Sequence, residues 1–209
     1  MENLNTFRPN NTTLSYNQLD DNWEEIQKRT GKGWNDLVSD VTIRAGTNAP
    51  TMDTFRGGLV LPAFPSNTIA ECFANFHMGH DYVPSTMVYP HVHWTVNTNS
   101  GGTVRWGVEY TYAQREDGGT GVQFPEPQIL YINVTIPENS QYTHFVSESI
   151  ENSGIDGTGL DTDAVIITRY FRDAEHPSDT FPDQVFLLTV DVHYESNVAS
   201  TPSRFPPFR

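Results

Sequence analysis

From Trp34 onwards the chain is a succession of short segments rich in β-branched and aromatic residues, with no helical periodicity between them. Clusters of Gly, Pro, Asn and Asp separate these segments, and such clusters are typical of turns between strands. About eight or nine strands without intervening helices predict an all-β, jelly-roll-like antiparallel β-sandwich, with a closed barrel as the other all-β solution. The predicted strands are residues 37–44, 55–64, 69–77, 88–98, 103–114, 128–136, 143–149, 164–172 and 185–194.

Alternation between two faces is clearest in residues 103–114. Val104, Trp106 and Val108 share one side with two tyrosines, whereas Arg105 and Glu109 lie on the other. This period of two predicts a strand with one buried face. The Asn-Ser-Gly-Gly sequence at 99–102, between two strong strands, predicts a hairpin turn.

Residues 1–33 and 197–209 differ from the body formed by residues 34–196. The N-terminal part predicts a polar extended arm followed by one short helix, because its apolar residues recur at helical spacing. The C-terminal part predicts an extended tail, because its three prolines are incompatible with a central strand.

The charge balance excludes one large class of partners. The chain has 12 basic and 26 acidic side chains and a net charge of −14, and its two lysines are Lys28 and Lys32. A nucleic-acid-binding protein must neutralise phosphates with clustered basic residues. We therefore expect no nucleic-acid partner.

Neither a membrane segment nor a disulfide framework is expected. No apolar run approaches the roughly 18 residues of a membrane span, and the first residues do not resemble a signal peptide. The single cysteine, Cys72, cannot form an internal disulfide. It lies in a predicted strand with no cationic neighbour in sequence, so we interpret it as a half-buried strand residue, not as a catalytic thiolate.

The strongest candidate for chemistry is a set of histidines on two predicted strands. His91 and His93 are two residues apart and therefore share one face, as do Asp191 and His193 on a late strand. Metalloproteins of the cupin type build sites from such strands, but their pattern has a Glu a few residues after His-x-His, and here the next strand offers only Glu109. We expect these groups to hydrogen-bond within a sheet or at an interface, with a metal-dependent enzyme centred on His91, His93 and His193 as an alternative.

Other motifs favour surface structure over chemistry. His77 and His80 are interpreted as surface histidines near a bend, and the acidic, Gly-rich segment 156–163 lacks the spacing of a calcium loop. No nucleophile elbow and no phosphate-binding loop are present. Strands rich in Trp and Tyr leave a carbohydrate-binding surface as another alternative. We assign no catalytic residue, metal or cofactor.

Four short motifs occur in an order that resembles a group of tailed-bacteriophage virion structural proteins with a β-sandwich body. They are YPHVHW at 89–94, WGVEY at 106–110, RYFRD at 169–173 and DVHY at 191–194, so the resemblance covers roughly residues 34–194. It implies a non-enzymatic protein that forms oligomers, commonly trimers. Proteins of this kind act as cement or decoration proteins on the capsid or belong to the tail and fibre apparatus.

We therefore expect a virion structural protein that stabilises or decorates the capsid through its terminal arms and a homotrimeric β-sandwich. The expected partners are the major capsid protein first and tail proteins second; a tail or fibre adaptor is the closest alternative, and a surface glycan is a further possible ligand. We expect no membrane partner and a place on the outer capsid surface after assembly in the host cytoplasm. The candidate partner-binding residues are Phe7, Leu19, Trp23, Ile26, Trp34, Arg204, Phe205, Phe208 and Arg209.

The distribution of charge supports the outer position. Residues 1–45 contain five basic and seven acidic side chains, whereas residues 46–209 contain seven basic and nineteen acidic ones. An acidic body facing solvent keeps a dense particle soluble and avoids the packaged genome.

Overall fold

The described residues of the body form ten antiparallel strands. The structure, a computed structural model, describes residues 19, 20, 22, 33–116, 123–149 and 153–197. The strands are β1 (Gly33–Ser39), β2 (Thr51–Arg56), β3 (Leu59–Phe64), β4 (Ala70–His77), β5 (Val88–Thr95), β6 (Gly102–Ala113), β7 (Gln128–Ile136), β8 (Phe145–Glu148), β9 (Val165–Arg172) and β10 (Val185–Ser196).

The strands form two sheets in the order of a jelly roll. The larger sheet runs β2-β3-β10-β5-β8, with β1 also paired to β10, and the smaller sheet runs β4-β9-β6-β7. From β3 to β10 the chain crosses repeatedly between the two sheets, as the double-sheet jelly-roll architecture requires. The predicted fold class, a jelly-roll-like antiparallel β-sandwich, is confirmed.

The core lies between the sheets and contains the apolar residues that alternate along each strand. Trp94 of the larger sheet and Trp106 of the smaller sheet are both fully buried, with ring centroids 6.0 Å apart. Cys72 and Tyr170 are also fully buried. The predicted alternation of residues 103–114 is therefore observed, since Val104, Trp106 and Val108 belong to this core.

The charged side chain of Arg172 is buried in the core, where each of its donors has an acceptor. Arg172 is fully buried, and its guanidinium donates to both carboxylate oxygens of Asp179 at 2.7 and 3.0 Å. It also donates to the carbonyls of Phe181 and Asp183, both at 2.7 Å. A buried guanidinium is stable only when paired in this way, so Arg172 fixes the segment before β10 against the sandwich.

The segment predicted as a single strand at 55–64 is instead part of a hairpin. Gly57 and Gly58 form a two-residue turn between β2 and β3. Gly57 has a φ of 59°, in the left-handed region that glycine adopts without strain. The apolar residues on both sides of the turn hide this boundary in the sequence. The first strand also begins earlier than predicted, at Gly33, and ends at Ser39.

The hairpin predicted at 99–102 is wrong. β5 belongs to the larger sheet and β6 to the smaller one, so this turn carries the chain across the sandwich. Both strands direct a tryptophan into the core from opposite sides, which a hairpin within one sheet does not allow.

The predicted N-terminal arm and C-terminal tail lie outside the described residues, apart from Asn197. Of the predicted helix, Leu19, Asp20 and Asn22 have helical backbone, and its remaining residues lie outside the described part. Within the described ranges, no helix has the length and apolar character needed to cross a membrane.

Candidate functional site

The outer face of the larger sheet carries a continuous chain of imidazole and carboxylate groups, which we call the histidine–carboxylate cluster. Val92 and Val192 point into the core, so alternation directs their neighbours on β5 and β10 to the outer face. Four of the seven histidines of the protein belong to the cluster. Its members, in order of contact, are Asp36, His193, Glu148, His91, Asp191, His93 and His144.

Strand register explains why these residues meet. Asp191 of β10, His91 of β5 and Glu148 of β8 are direct cross-strand neighbours and form one row across three strands. In the next row Asp36 of β1 lies opposite His193 of β10. Cross-strand neighbours on one face are close enough for their side chains to interact, so the sheet itself assembles the cluster.

His91 occupies the centre of the cluster and uses both ring nitrogens. Its Nε2 contacts Oε2 of Glu148, and its Nδ1 lies 3.1 Å from Oδ1 of Asp191. The other oxygen of Asp191 accepts a hydrogen bond of 2.9 Å from Nε2 of His93. Nδ1 of His93 in turn lies 2.9 Å from Nε2 of His144, whose ring is stacked on that of His93.

His193 has a similar position between two carboxylates. Its Nε2 contacts Oδ1 of Asp36, and its Nδ1 lies 3.5 Å from Oε2 of Glu148. The rings of His91 and His193 meet edge to face, with centroids 3.8 Å apart. Two imidazoles therefore direct nitrogen atoms at the same carboxylate.

The centre of the cluster is nearly closed to solvent, whereas Asp36 and His144 at its two ends are exposed. The side chains of His91 and Asp191 are only 3% and 5% exposed. Burial favours the neutral form of Asp191, but the hydrogen bonds and charges of His91 and His93 outweigh it and lower the pKa of Asp191 to about 2. Burial lowers the pKa of His193 to about 4, so its imidazole is neutral at pH 7. Burial and the nearby His93 also lower the pKa of His144.

The structure brings together all four residues singled out from the sequence. His91, His93, Asp191 and His193 share one face and contact one another, directly or through Glu148. They lie on the outer surface of one sheet, not between the two sheets. The expectation that they interact within a sheet is met by these contacts.

Three members of the cluster were missed by the sequence interpretation. Glu148 and His144 lie within the predicted strand 143–149, and Asp36 lies just before a predicted strand. Nothing in the sequence says that β8 pairs with β5 or that β1 pairs with β10. The abundance of acidic residues in the sequence hides the two carboxylates, Glu148 and Asp36, that belong to the cluster.

The outer face of the smaller sheet is built differently, from arginines, carboxylates and aromatic rings. Arg169 donates to Glu71 at 2.6 Å and to Glu109 at 2.9 Å, while its guanidinium lies 4.4 Å from the ring centroid of Phe171. Gly107 lies directly under that ring, where a Cβ atom would overlap it. We call this surface the arginine–aromatic face; its members are Arg44, Glu71, Phe73, Arg105, Gly107, Glu109, Ile129, Tyr131, Ile167, Arg169 and Phe171.

The remaining candidates from the sequence have local roles. Cys72 is fully buried, and burial raises the pKa of its thiol to about 12, which excludes a thiolate nucleophile at neutral pH. Exposed His77 and His80 both face Asp163, with N–O distances of 3.3 and 3.6 Å. In the segment interpreted as a turn, Asp156 accepts hydrogen bonds from the backbone and hydroxyl of Thr158.

Two of the candidate partner-binding residues fall within the described part of the chain. Leu19 is 49% exposed, and Trp34 on β1 is half-buried, with its ring edge to face with that of Tyr89 at 5.7 Å. The other candidates lie outside the described residues: Phe7, Trp23, Ile26, Arg204, Phe205, Phe208 and Arg209.

Comparison with models of known protein families finds no match to this chain, and comparison with curated proteins finds none either.

Proposed function

We propose that this protein is a non-enzymatic structural protein of a bacteriophage virion, which forms a homotrimer and decorates the outer surface of the capsid. The motif resemblance suggests this role, and the arginine–aromatic face is the observation that carries it. The terminal arms would contact the major capsid protein, and the sandwich would contact its own copies. A tail or fibre position is the alternative within the same class.

The arginine–aromatic face has the composition of a protein interface. Ile129 and Tyr131 on β7 are 42% and 45% exposed, and Ile167 on β9 of the same sheet is 41% exposed. An arginine lies over each of the three aromatic rings of this face, with Arg105 3.8 Å from the centroid of Tyr131. Aromatic residues and arginine are enriched at interfaces and provide much of their binding energy.

The charge of this face favours a second copy of the chain as the occupant. Arg44, Arg105 and Arg169 are balanced there by Glu71, Glu109 and the adjacent Asp173, which pairs with Arg105 at 2.9 Å. The chain as a whole carries a net charge of −14. Two acidic bodies therefore repel each other over most of their surface, but not where each is locally neutral.

The histidine–carboxylate cluster is consistent with a structural role. Its imidazoles and carboxylates contact one another, and His91 and Asp191 are almost completely buried. A general acid or base must reach the group with which it exchanges a proton. We therefore assign no catalytic step to the cluster.

Measurement of the solution mass of the full chain tests self-association. We expect a trimer for the wild type and a monomer for Tyr131→Asp, because a carboxylate introduced at the centre of the interface remains unpaired. Leu59→Asp is the matched control: Leu59 is 65% exposed on the larger sheet, away from the arginine–aromatic face, and its substitution leaves the trimer intact. A monomeric wild type, or a trimeric Tyr131→Asp variant, would contradict the proposed interface.

Imaging of the phage particle tests the location. Antibody labelling or cryo-electron microscopy of particles that carry the protein should show density on the outer capsid surface. Density at the tail would support the adaptor alternative, and absence from purified particles would overturn the virion assignment. Binding of the purified protein to a glycan array, lost on substitution of an exposed tyrosine, would support carbohydrate recognition instead.

A further inference from the structure

Three potential metal ligands converge inside the histidine–carboxylate cluster. They are Nε2 of His91, Oε2 of Glu148 and Nδ1 of His193, and all three atoms lie within 4.8 Å of one another. The residues come from β10, β5 and β8, so three adjacent strands of the larger sheet each supply one ligand. Two imidazole nitrogens and a carboxylate oxygen form a donor set known from zinc sites.

The outer nitrogen of each imidazole already faces a second carboxylate. Nδ1 of His91 lies 3.1 Å from Asp191, and Nε2 of His193 contacts Asp36. Metal-binding histidines almost always donate their second N–H to such a group, which fixes the tautomer and directs the free lone pair at the metal. Asp191 and Asp36 therefore orient both imidazoles for coordination.

A cation would resolve an unfavourable contact at the point of convergence. With a proton held on the outer nitrogen, the inner nitrogen of a neutral imidazole presents a lone pair. His193 Nδ1 is buried and makes no hydrogen bond, and the atom in front of it is the carboxylate oxygen Oε2 of Glu148, 3.5 Å away. Buried lone pairs that face one another without a proton or a cation between them are costly.

We propose that His91, Glu148 and His193 bind a divalent transition-metal ion, with Zn²⁺ as the best fit, and that Asp191 and Asp36 hold the two imidazoles in place. Two imidazole ligands disfavour Ca²⁺ and Mg²⁺, which prefer oxygen ligands. A water molecule completes the tetrahedron.

The ion has a structural role. The ligand side chains are 3%, 13% and 9% exposed, which leaves little space for a substrate. Together with Asp36, the three ligands connect the strands β1, β10, β5 and β8, which lie far apart in the sequence. Because the unfolded chain cannot hold the ligands in place, metal binding stabilises the folded state.

A second set of potential metal ligands, formed by His91, His93 and Asp191, is less suitable for binding an ion. Both oxygens of Asp191 already face an imidazole nitrogen, at 3.1 and 2.9 Å, so this carboxylate is placed between two histidines and not opposite a shared point of convergence. Glu148 belongs only to the first set and His93 only to the second. Substitution of each residue in turn therefore tests which set binds the metal.

Metal analysis of the full chain, purified without a histidine tag, tests the site. After incubation with Zn²⁺ and dialysis we expect one zinc ion per chain and a melting temperature that falls when a chelator is added. Glu148→Gln, which preserves volume and removes the charge, should abolish stoichiometric zinc. His93→Gln should retain it.

The double variant His77→Ala with His80→Ala is the control for binding by surface histidines. These side chains face Asp163 elsewhere on the molecule and are 64% and 84% exposed. We expect this variant to retain zinc in full. Loss of zinc here, with retention in Glu148→Gln, would overturn the proposal.

Two further measurements keep the proposal testable if Glu148→Gln fails to fold. Wild-type protein loaded with Co²⁺ should show the intense visible absorption of a tetrahedral site, and its absence would overturn the proposal. Asp36→Asn should bind zinc about tenfold to a hundredfold more weakly in a chelator competition, because the carboxylate of Asp36 orients the imidazole of His193. Unchanged affinity would contradict the role of Asp36.

Discussion

The outer faces of the two sheets hold charged side chains in contrasting ways. On the larger sheet, imidazoles and carboxylates contact each other in a chain, and His91 and Asp191 at its centre are almost inaccessible to water. On the smaller sheet, Arg169 and its partners Glu71 and Glu109 are 26%, 21% and 32% exposed. Imidazole changes charge near neutral pH, whereas guanidinium does not. The charge of the first face can therefore change with pH, whereas the second face has a fixed charge pattern.

Removal of the central carboxylate of the buried face should have the largest effect. Asp191→Ala leaves His91 and His93 without their shared acceptor, and breaking a buried pair in this way costs about 3–5 kcal/mol. We expect a loss of this order in the free energy of unfolding, measured with urea. A loss below about 1 kcal/mol would place the cluster in the same energetic class as an exposed ion pair.

A methyl group at the centre of the smaller sheet should have the next largest effect. In Gly107→Ala the new Cβ overlaps the ring of Phe171, so the ring must move and overpacking costs about 1–3 kcal/mol. Gly46→Ala is the matched control, because a Cβ there has no neighbour within 4 Å and we expect a change within about 0.5 kcal/mol. Equal effects at the two glycines, measured by thermal unfolding, would contradict the packing of Phe171 on the strand.

Acid should destabilise the metal-free protein through the larger sheet. His193 faces Asp36, Glu148 and His91, and burial lowers its pKa to about 4. The unfolded chain takes up a proton at this residue below about pH 6.5, but the folded chain does not until about pH 4. The free energy of unfolding should therefore fall across this window, by about 1–2 kcal/mol after allowance for solvent screening.

The His193→Gln variant, with chelator present, should show a flatter pH dependence of stability between pH 6.5 and 4. The contribution of Asp191 has a separate window, because its pKa of about 2 means that its stabilisation is lost only as the pH falls below about 3.8. An unchanged slope in His193→Gln would show that another group titrates in the upper window.

The smallest effect is expected from the exposed ion pairs of the smaller sheet. Glu109→Gln removes one of two carboxylates that pair with Arg169, and Glu71 still accepts a hydrogen bond. We expect a change below about 1 kcal/mol that decreases further with added salt. A loss comparable with that of Asp191→Ala would remove the proposed distinction between the two faces.

Alternation and strand propensity were sufficient to predict the sandwich, and spacing placed His91 and His93 on one face. The pairing of the strands could not be predicted from the sequence, because packing across the whole domain decides which strands become neighbours. For that reason Glu148 and Asp36 were missed, although both lie in or beside predicted strands. The Gly57-Gly58 turn was missed for a local reason: apolar residues flank it on both sides and imitate one long strand.

The pairing of β10 has a consequence for how the chain folds. This last strand pairs with β1, β3 and β5, so the larger sheet remains incomplete until residues 185–196 have left the ribosome. Until then the edges of its partner strands are open to other chains, and pairing across such long sequence separations is slow. The histidine–carboxylate cluster, drawn from residues 36 to 193, forms only at this late step. Metal uptake would therefore report completion of folding.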